Sequence, residues 1–158
     1  MASHAGTIRA RIQARRCALQ ALYQWQMAGH DPRNILREFE AERELVGVDM
    51  AYFRELTQEI PKHIHILQSR LRTVIDRPLE QLGTVERAAL YIGAYELSFR
   101  PEVPWRVVVN EAVELTKMFG AQDAYKYING ALHNLARELR PDEIANAPGQ
   151  NSAKQTAV

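Results

Sequence analysis

The chain has 158 residues, of which 46% are hydrophobic, and its formal charge is +1. This length is enough for one globular unit, and the single cysteine, Cys17, excludes an internal disulfide. No run approaches the roughly 18 apolar residues of a membrane span, and no apolar signal-peptide core is present, so we expect a soluble cytoplasmic protein.

Charge is distributed unevenly along the chain. Residues 1–30 contain four arginines and no acidic residue, whereas residues 31–60 contain eight acidic residues and four arginines. An arginine-rich head before an acidic segment is typical of a nucleic-acid-binding arm, although a solvated terminus has the same composition.

The spacing of apolar residues predicts helices throughout and almost no strand. A first helix is expected to begin within 8–16 and to end at Ala28. Asp31 and Pro32 predict the start of a second helix, which runs to Gly47.

The third predicted helix is capped by Asp49. Its apolar spacing continues through Pro61 to Val74, which predicts one long kinked helix rather than two. The kink is expected to remove the backbone hydrogen bond to Thr57.

Residues 76–83 interrupt the pattern, with one short helical turn expected at 78–82. Thr84 is then predicted to cap a fourth helix, 85–99, which is apolar nearly all round. Such a helix must be surrounded by others, so we expect it at the centre of the second half.

Two further helices complete the prediction. Pro104 opens the fifth and Gly120 closes it, and the last runs over 122–139 until Pro141. Three helices, a break and three more helices predict an all-α fold of two packed three-helix bundles.

The predicted organisation has three parts. They are an arginine-rich arm at 1–14, a helical domain at 15–141 and a disordered tail at 142–158. Within the helical domain, the first bundle ends near residue 75 and the second begins near residue 84.

The sequence predicts no catalytic residue, metal site or cofactor. Cys17 lies among alanines with no histidine or aspartate nearby in sequence. His63 and His65 are two residues apart, which points them about 200° apart on a helix, so they cannot share a metal. Glu111 and Glu114 fit a solvated charged face, and no glycine-rich phosphate loop is present.

The first helix carries a polar stripe within an arc of about 80°. Guanidinium groups bind phosphates and a tyrosine ring stacks on unpaired bases, although an ordinary outward face would look the same. The stripe consists of Arg9, Gln13, Arg16, Gln20 and Tyr23.

Two charged residues occupy apolar positions. Arg15 projects into the arc of Ile8, Ile12 and Leu19, so either the opening turns lie beyond the core or Arg15 snorkels out of it. Glu96 lies on the apolar fourth helix and is expected to pair with a base or a helix end.

Seven segments then occur in an order that resembles the NusB family of bacterial transcription antitermination factors. They span roughly residues 9–141 without a large gap. They are RRCALQALYQWQ at 15–26, VDMAYFR at 48–54, LGTVERA at 82–88, YEL at 95–97, VP at 103–104, VNEAVEL at 109–115 and FGAQDAYKYING at 119–130.

The resemblance implies two three-helix bundles and a role in transcription. Proteins of this family bind the boxA element of nascent ribosomal-operon RNA together with NusE, a small-subunit ribosomal protein. They join RNA polymerase in an antitermination complex.

The resemblance also implies site residues, because in the family RNA runs over the arginine-rich start, the first helix and the start of the last helix. Glu86 occupies a position that faces the protein partner, and the stripe adds Arg9 and Arg16 to the RNA-binding residues. The RNA-binding residues carried over by position are Arg11, Arg15, Tyr23, Asp123, Lys126 and Tyr127.

Two positions depart from the family pattern. Arg16 falls where relatives carry an acid, and Val74 falls where some relatives offer an aromatic ring to RNA. The family includes monomers and homodimers, and the sequence does not choose between them. Other interpretations are a helical protein-interaction scaffold that binds no RNA, and a NusB-like module of an rRNA methyltransferase.

Overall fold

The computed structural model describes residues 4–146, with side chains described from residue 6, and this part of the chain is helical without strands. Within residues 4–146, eight helices and one 3₁₀ turn, Leu79–Gln81, follow one another. The helices are α1 (His4–Ala28), α2 (Pro32–Glu42), α3 (Met50–Lys62), α4 (Ile64–Arg72), α5 (Thr84–Phe99), α6 (Trp105–Phe119), α7 (Ala124–Leu139) and α8 (Pro141–Ala145).

The first two helices agree with the prediction at the end of α1 and the start of α2, whereas α1 begins at His4, earlier than the expected 8–16. α1 ends at Ala28, and Gly29 follows it with a φ of +68°, a conformation that glycine adopts at no steric cost. The Asp31 side chain accepts a hydrogen bond from the Arg33 amide and caps α2, as expected. However, α2 ends at Glu42 rather than near Gly47, because Arg43 is already extended.

The predicted third helix is divided into α3 and α4. Pro61 has no amide hydrogen for the Thr57 carbonyl, and two residues later His63 leaves helical geometry, with φ −106° and ψ 17°. The prediction of one long kinked helix was therefore wrong, because His63 separates two helices. The cap by Asp49 is confirmed, since its side chain accepts from the Tyr52 amide at 3.1 Å.

α5 lies at the centre of the molecule. Residues 88–97 are all buried, and α5 packs against α1, α3, α4, α6 and α7. Thr84 is the first helical residue rather than the cap, since Gly83 holds that position without a side-chain bond. Thus α1–α3 and α5–α7 form two three-helix groups, and α4 and α5 join them.

The outer parts differ from the predicted arm and tail. The described part of 1–14 belongs to α1, and α8 takes in the first four residues of the predicted tail. Arg140 holds α8 in place, because it donates to four backbone carbonyls and to the Glu143 carboxylate. Residues 147–158 lie outside the described range. Within that range no helix is long and apolar enough to cross a membrane.

Candidate nucleic-acid interface

The polar stripe of α1 reaches the surface. Arg9 and Tyr23 are exposed, and Gln13, Arg16 and Gln20 are half-buried. Arg16 lines a shallow cleft with Glu111, Glu114 and Met118 of α6. The stripe is therefore accessible, and α6 borders it near Arg16.

Arg15 does not belong to this surface. Arg15 is only 3% exposed and its Nη2 donates to Glu96 Oε2 at 2.9 Å, while Nε donates to both carboxylate oxygens at 3.1 Å. Burial alone would lower the pKa of Arg15, but the Glu96 carboxylate raises it overall. Of the two expected arrangements, the first describes the opening turns, since no residue from 7 to 13 is buried and Ile8 is 49% exposed. Arg15 itself neither lies beyond the core nor snorkels out of it.

Glu96 has the partner that the sequence predicted, a base. It also accepts a hydrogen bond from the Tyr52 hydroxyl, so the three side chains join α1, α3 and α5. Burial, and then the charge of Glu96, raise the pKa of Tyr52. This arrangement favours a positioning role for Arg15 over direct RNA contact.

Arg11 lies one turn earlier and is partly exposed. Its Nε is 3.9 Å from Asp49 Oδ2, and its guanidinium stands 4.6 Å from the centre of the Tyr52 ring. Tyr52 thus contacts both residues, donating from its hydroxyl to Glu96 and packing its ring against Arg11. The Arg11 side chain is 31% exposed, so a ligand can reach it.

Asp123 and Lys126 lie together at the start of α7, both exposed. Asp123 has a φ of +66°, in the left-handed region that aspartate and asparagine tolerate better than most residues. Its side chain does not cap the helix but lies 3.6 Å from Lys126 Nζ. The carboxylate therefore remains accessible.

Tyr127 contacts two residues that were not among the predicted RNA-binding residues. Its hydroxyl donates to Asp76 Oδ1 at 3.2 Å, and the Arg77 guanidinium stands 4.4 Å from the ring centre. Burial is the main cause of the raised pKa of Tyr127. Asp76 and Arg77 lie in the loop after α4, about 50 residues before Tyr127. The spacing of residues along one helix could not predict these contacts.

Glu86 lies at the start of α5 and accepts a hydrogen bond from the Ala121 amide at 3.3 Å. The turn between α6 and α7 is close by, since a Cβ at Gly120 would lie 3.2 Å from Glu86 Oε1. Gln26 of α1 donates to the Thr84 carbonyl at 3.1 Å. The end of α1, the start of α5 and the turn that leads to Asp123 therefore meet.

The described residues offer little for catalysis. No group of three or more histidine, cysteine, aspartate or glutamate side chains there is arranged to hold a metal. Burial raises the pKa of Cys17, which disfavours the thiolate that a nucleophile requires. The accessible features among the predicted site residues are the arginine-bearing face of α1 and the charged start of α7.

The structure defines a class of protein: an all-α fold of two three-helix groups whose first helix is rich in arginine. Comparison with known proteins identifies the family. The sequence profile of the NusB family matches residues 12–137. The chain belongs to the NusB family.

Curated relatives resemble the chain over nearly their whole length. A transcription antitermination protein NusB from Shewanella amazonensis is 48% identical over 125 residues, which cover 79% of this chain and 93% of the relative. The one from Baumannia cicadellinicola is 47% identical over 134 residues, covering 85% and 96%. The one from Escherichia coli is 44% identical over 134 residues, with 85% and 96% covered.

Solved structures agree with the fold. NusB from T. maritima superimposes with a TM-score of 0.71 at 22% identity, covering 87% of this chain and 99% of that one. A crystal structure of the antitermination factors NusB and NusE in complex with dsRNA contains a chain that matches with a TM-score of 0.69 at 28% identity. That match covers 83% of this chain and 98% of the solved one.

Proposed function

We propose that this protein is an RNA-binding transcription antitermination factor. It binds boxA RNA of ribosomal-operon transcripts together with NusE and joins the RNA polymerase antitermination complex. The observation that carries the proposal is the 44–48% identity to NusB antitermination proteins over at least 93% of their length.

The RNA surface that we propose has two parts. Arg9, Arg11, Arg16 and Tyr23 of α1 supply cations and a ring. Positive charge with an exposed ring suits single-stranded RNA, whose bases stack on aromatic side chains while cations hold its phosphates. The second part, at the start of α7, consists of Asp123, Lys126 and Tyr127.

The carboxylate of Asp123 has a role in this surface despite its charge. It is exposed beside Lys126, so it is free to accept hydrogen bonds from a base edge while the lysine holds phosphate. Glu86 is assigned to the NusE-binding surface from its matching position in the family and its place at the start of α5, where it is half-buried beside the turn before α7.

Variants of Tyr127 test the RNA surface. Tyr127→Ala is expected to weaken binding of a boxA RNA by about 1–3 kcal/mol, the usual contribution of a stacked base. Tyr127→Phe removes only the bond to Asp76 and should bind like the parent protein. Affinities are measured at one fixed salt concentration, with melting curves to show that each variant is folded.

Asp123→Asn completes the series. Asparagine tolerates the left-handed backbone at this position, so the fold should hold. Loss of the negative charge should leave affinity equal or higher. If folded Tyr127→Ala binds boxA RNA as tightly as the parent protein, the start of α7 does not contact RNA.

A further inference from the structure

A groove opens between the start of α6, the second half of α7 and α8, and its volume is about 350 Å³. Arg106 and Arg137 form its polar edge, with His133 between the two helices. Ile144 is half-buried and contributes apolar surface, whereas Val109 lines the groove but is almost fully buried. The groove thus combines two cations with one partly exposed apolar side chain.

The two cations are not neutralised by the rest of the protein. Arg106 and Arg137 are exposed, and neither forms an ion pair with any residue in the range 4–146. Burial, and then both arginines, lower the pKa of His133, so both guanidinium groups act on this ring. The nearby Glu143 carboxylate is already bonded to the Trp105 amide and to Arg140.

The aromatic wall of the groove is unsuited to nucleic acid. Trp105 is 7% exposed, with Arg106 5.3 Å from its ring centre and His133 meeting it edge-on at 5.2 Å. No ring face is open for a base to stack on. A carboxylate and a phosphate both match the geometry of an arginine fork, so it is the closed ring faces that favour a peptide carboxylate over a nucleic acid.

The groove is remote from the α7 part of the proposed RNA surface, because the start of α7 lies beyond the end of α6, roughly 20 Å away at 1.5 Å per residue. The α1 part is nearer, since Arg11 lines a separate cavity with Val103, Pro104 and Val107 at the start of α6. Ile144 on α8 lies outside residues 12–137, the part that matches the family. The groove is therefore partly built from sequence beyond the family match.

We propose that this groove docks an acidic peptide segment of a partner protein. Carboxylates of the peptide sit between Arg106 and Arg137, and a neighbouring apolar side chain packs on Ile144. A volume near the lower end of ligand pockets fits one or two such side chains. The proposal goes beyond RNA binding and does not depend on it.

Tryptophan fluorescence tests the proposal. The chain has two tryptophans, so Trp25→Phe leaves Trp105 as the only reporter, at the wall of the groove. This protein is titrated with a short peptide of alternating leucine and aspartate or glutamate. The same peptide with asparagine and glutamine should bind at least tenfold more weakly.

Charge variants of the reporter protein locate the binding. Arg106→Gln with Arg137→Gln should weaken peptide binding about tenfold, because two exposed ion pairs with the peptide are lost. Arg33→Gln with Arg37→Gln removes the same charge from exposed residues of α2 and should have no effect. Melting curves confirm that each variant is folded.

Three results would overturn the proposal. One is equal binding of the acidic and the amide peptide, and another is equal loss in the α2 control. The third is tighter binding of a uridine oligonucleotide or of inorganic phosphate than of the peptide, which would indicate a general anion site.

Discussion

The guanidinium of Arg15 meets the carboxylate of Glu96 at a depth where both side chains are almost fully withdrawn from water. An isolated charge in such a place costs several kcal/mol, so each residue depends on the other. Both residues lie on apolar arcs in the sequence, but Arg15 was expected to lie beyond the core or to snorkel out of it. The sequence held no sign of their pairing, since 81 residues separate them.

Substitution of Arg15 should show this dependence. Arg15→Met leaves the Glu96 charge without its partner and is expected to lower the free energy of unfolding by about 3–5 kcal/mol. The matched change Arg16→Met, next in sequence but half-buried, should cost less than about 1 kcal/mol. Urea unfolding of both variants measures the difference.

A double variant separates stability from RNA binding. Arg15→Met with Glu96→Gln removes both charges but keeps an oxygen for the Tyr52 hydroxyl, so it should recover most of the lost stability. Its affinity for boxA RNA should stay within about twofold of the parent, a change within the usual spread of surface effects. A tenfold loss of affinity in a folded double variant would place Arg15 in contact with RNA after all.

At the scale of the helix, α5 and α7 approach each other closely at Gly93. A Cβ there would lie 2.6 Å from Leu132 Cδ1, and Leu132 is itself fully buried. Gly130 on the exposed side of α7 has nothing within 4 Å of such an atom. Two helical glycines in one chain thus differ only in what surrounds them.

Alanine substitutions at these glycines should have opposite effects. Gly130→Ala should stabilise the protein by about 1 kcal/mol, since alanine is the better helix former. Gly93→Ala gains the same propensity but forces overpacking, and a net loss of about 1–3 kcal/mol is expected. Thermal unfolding of both variants checks this, and a stabilised Gly93→Ala would show that α5 and α7 can move apart freely.

Most helices were predictable because their apolar periodicity and their proline or glycine ends are local signals. The cap by Asp31 and the end of α1 at Ala28 are examples. The errors arise where a helix end depends on packing. The break at His63 follows Pro61 by two residues, and α8 is held by Arg140, whose carbonyl partners lie about 40 residues away.

The candidate site was predictable to the extent that it lies on one helix. Spacing placed Arg9, Arg16 and Tyr23 on one accessible face of α1, and their exposure is compatible with that prediction. The environment of Tyr127 was not predictable, because Arg77 and Asp76 reach it from another loop. Local sequence specifies a face, whereas contacts across the fold specify what that face can bind.

For the whole molecule, the distribution of charge favours separate surfaces for RNA and for NusE. The arginines of α1 form an acid-free block in the sequence, whereas Glu86 stands beside the turn before α7. If RNA and NusE use different surfaces, a charge change on one should leave the other unaffected. Salt dependence distinguishes the two, because displacement of counterions from RNA scales with the number of phosphate contacts.

Paired charge variants should therefore separate the two activities. Arg9→Gln with Arg16→Gln is expected to reduce the slope of log affinity against log salt by about 1.4, which corresponds to two single-strand phosphate contacts. The α2 control, Arg33→Gln with Arg37→Gln, should leave the slope unchanged, as both residues lie on another face.

Glu86→Gln keeps an acceptor for the Ala121 amide, so the turn should hold while capture of NusE weakens. RNA binding alone and NusE binding alone are measured for all three variants, and an unchanged RNA slope in the α1 variant would mean that these arginines do not contact phosphate.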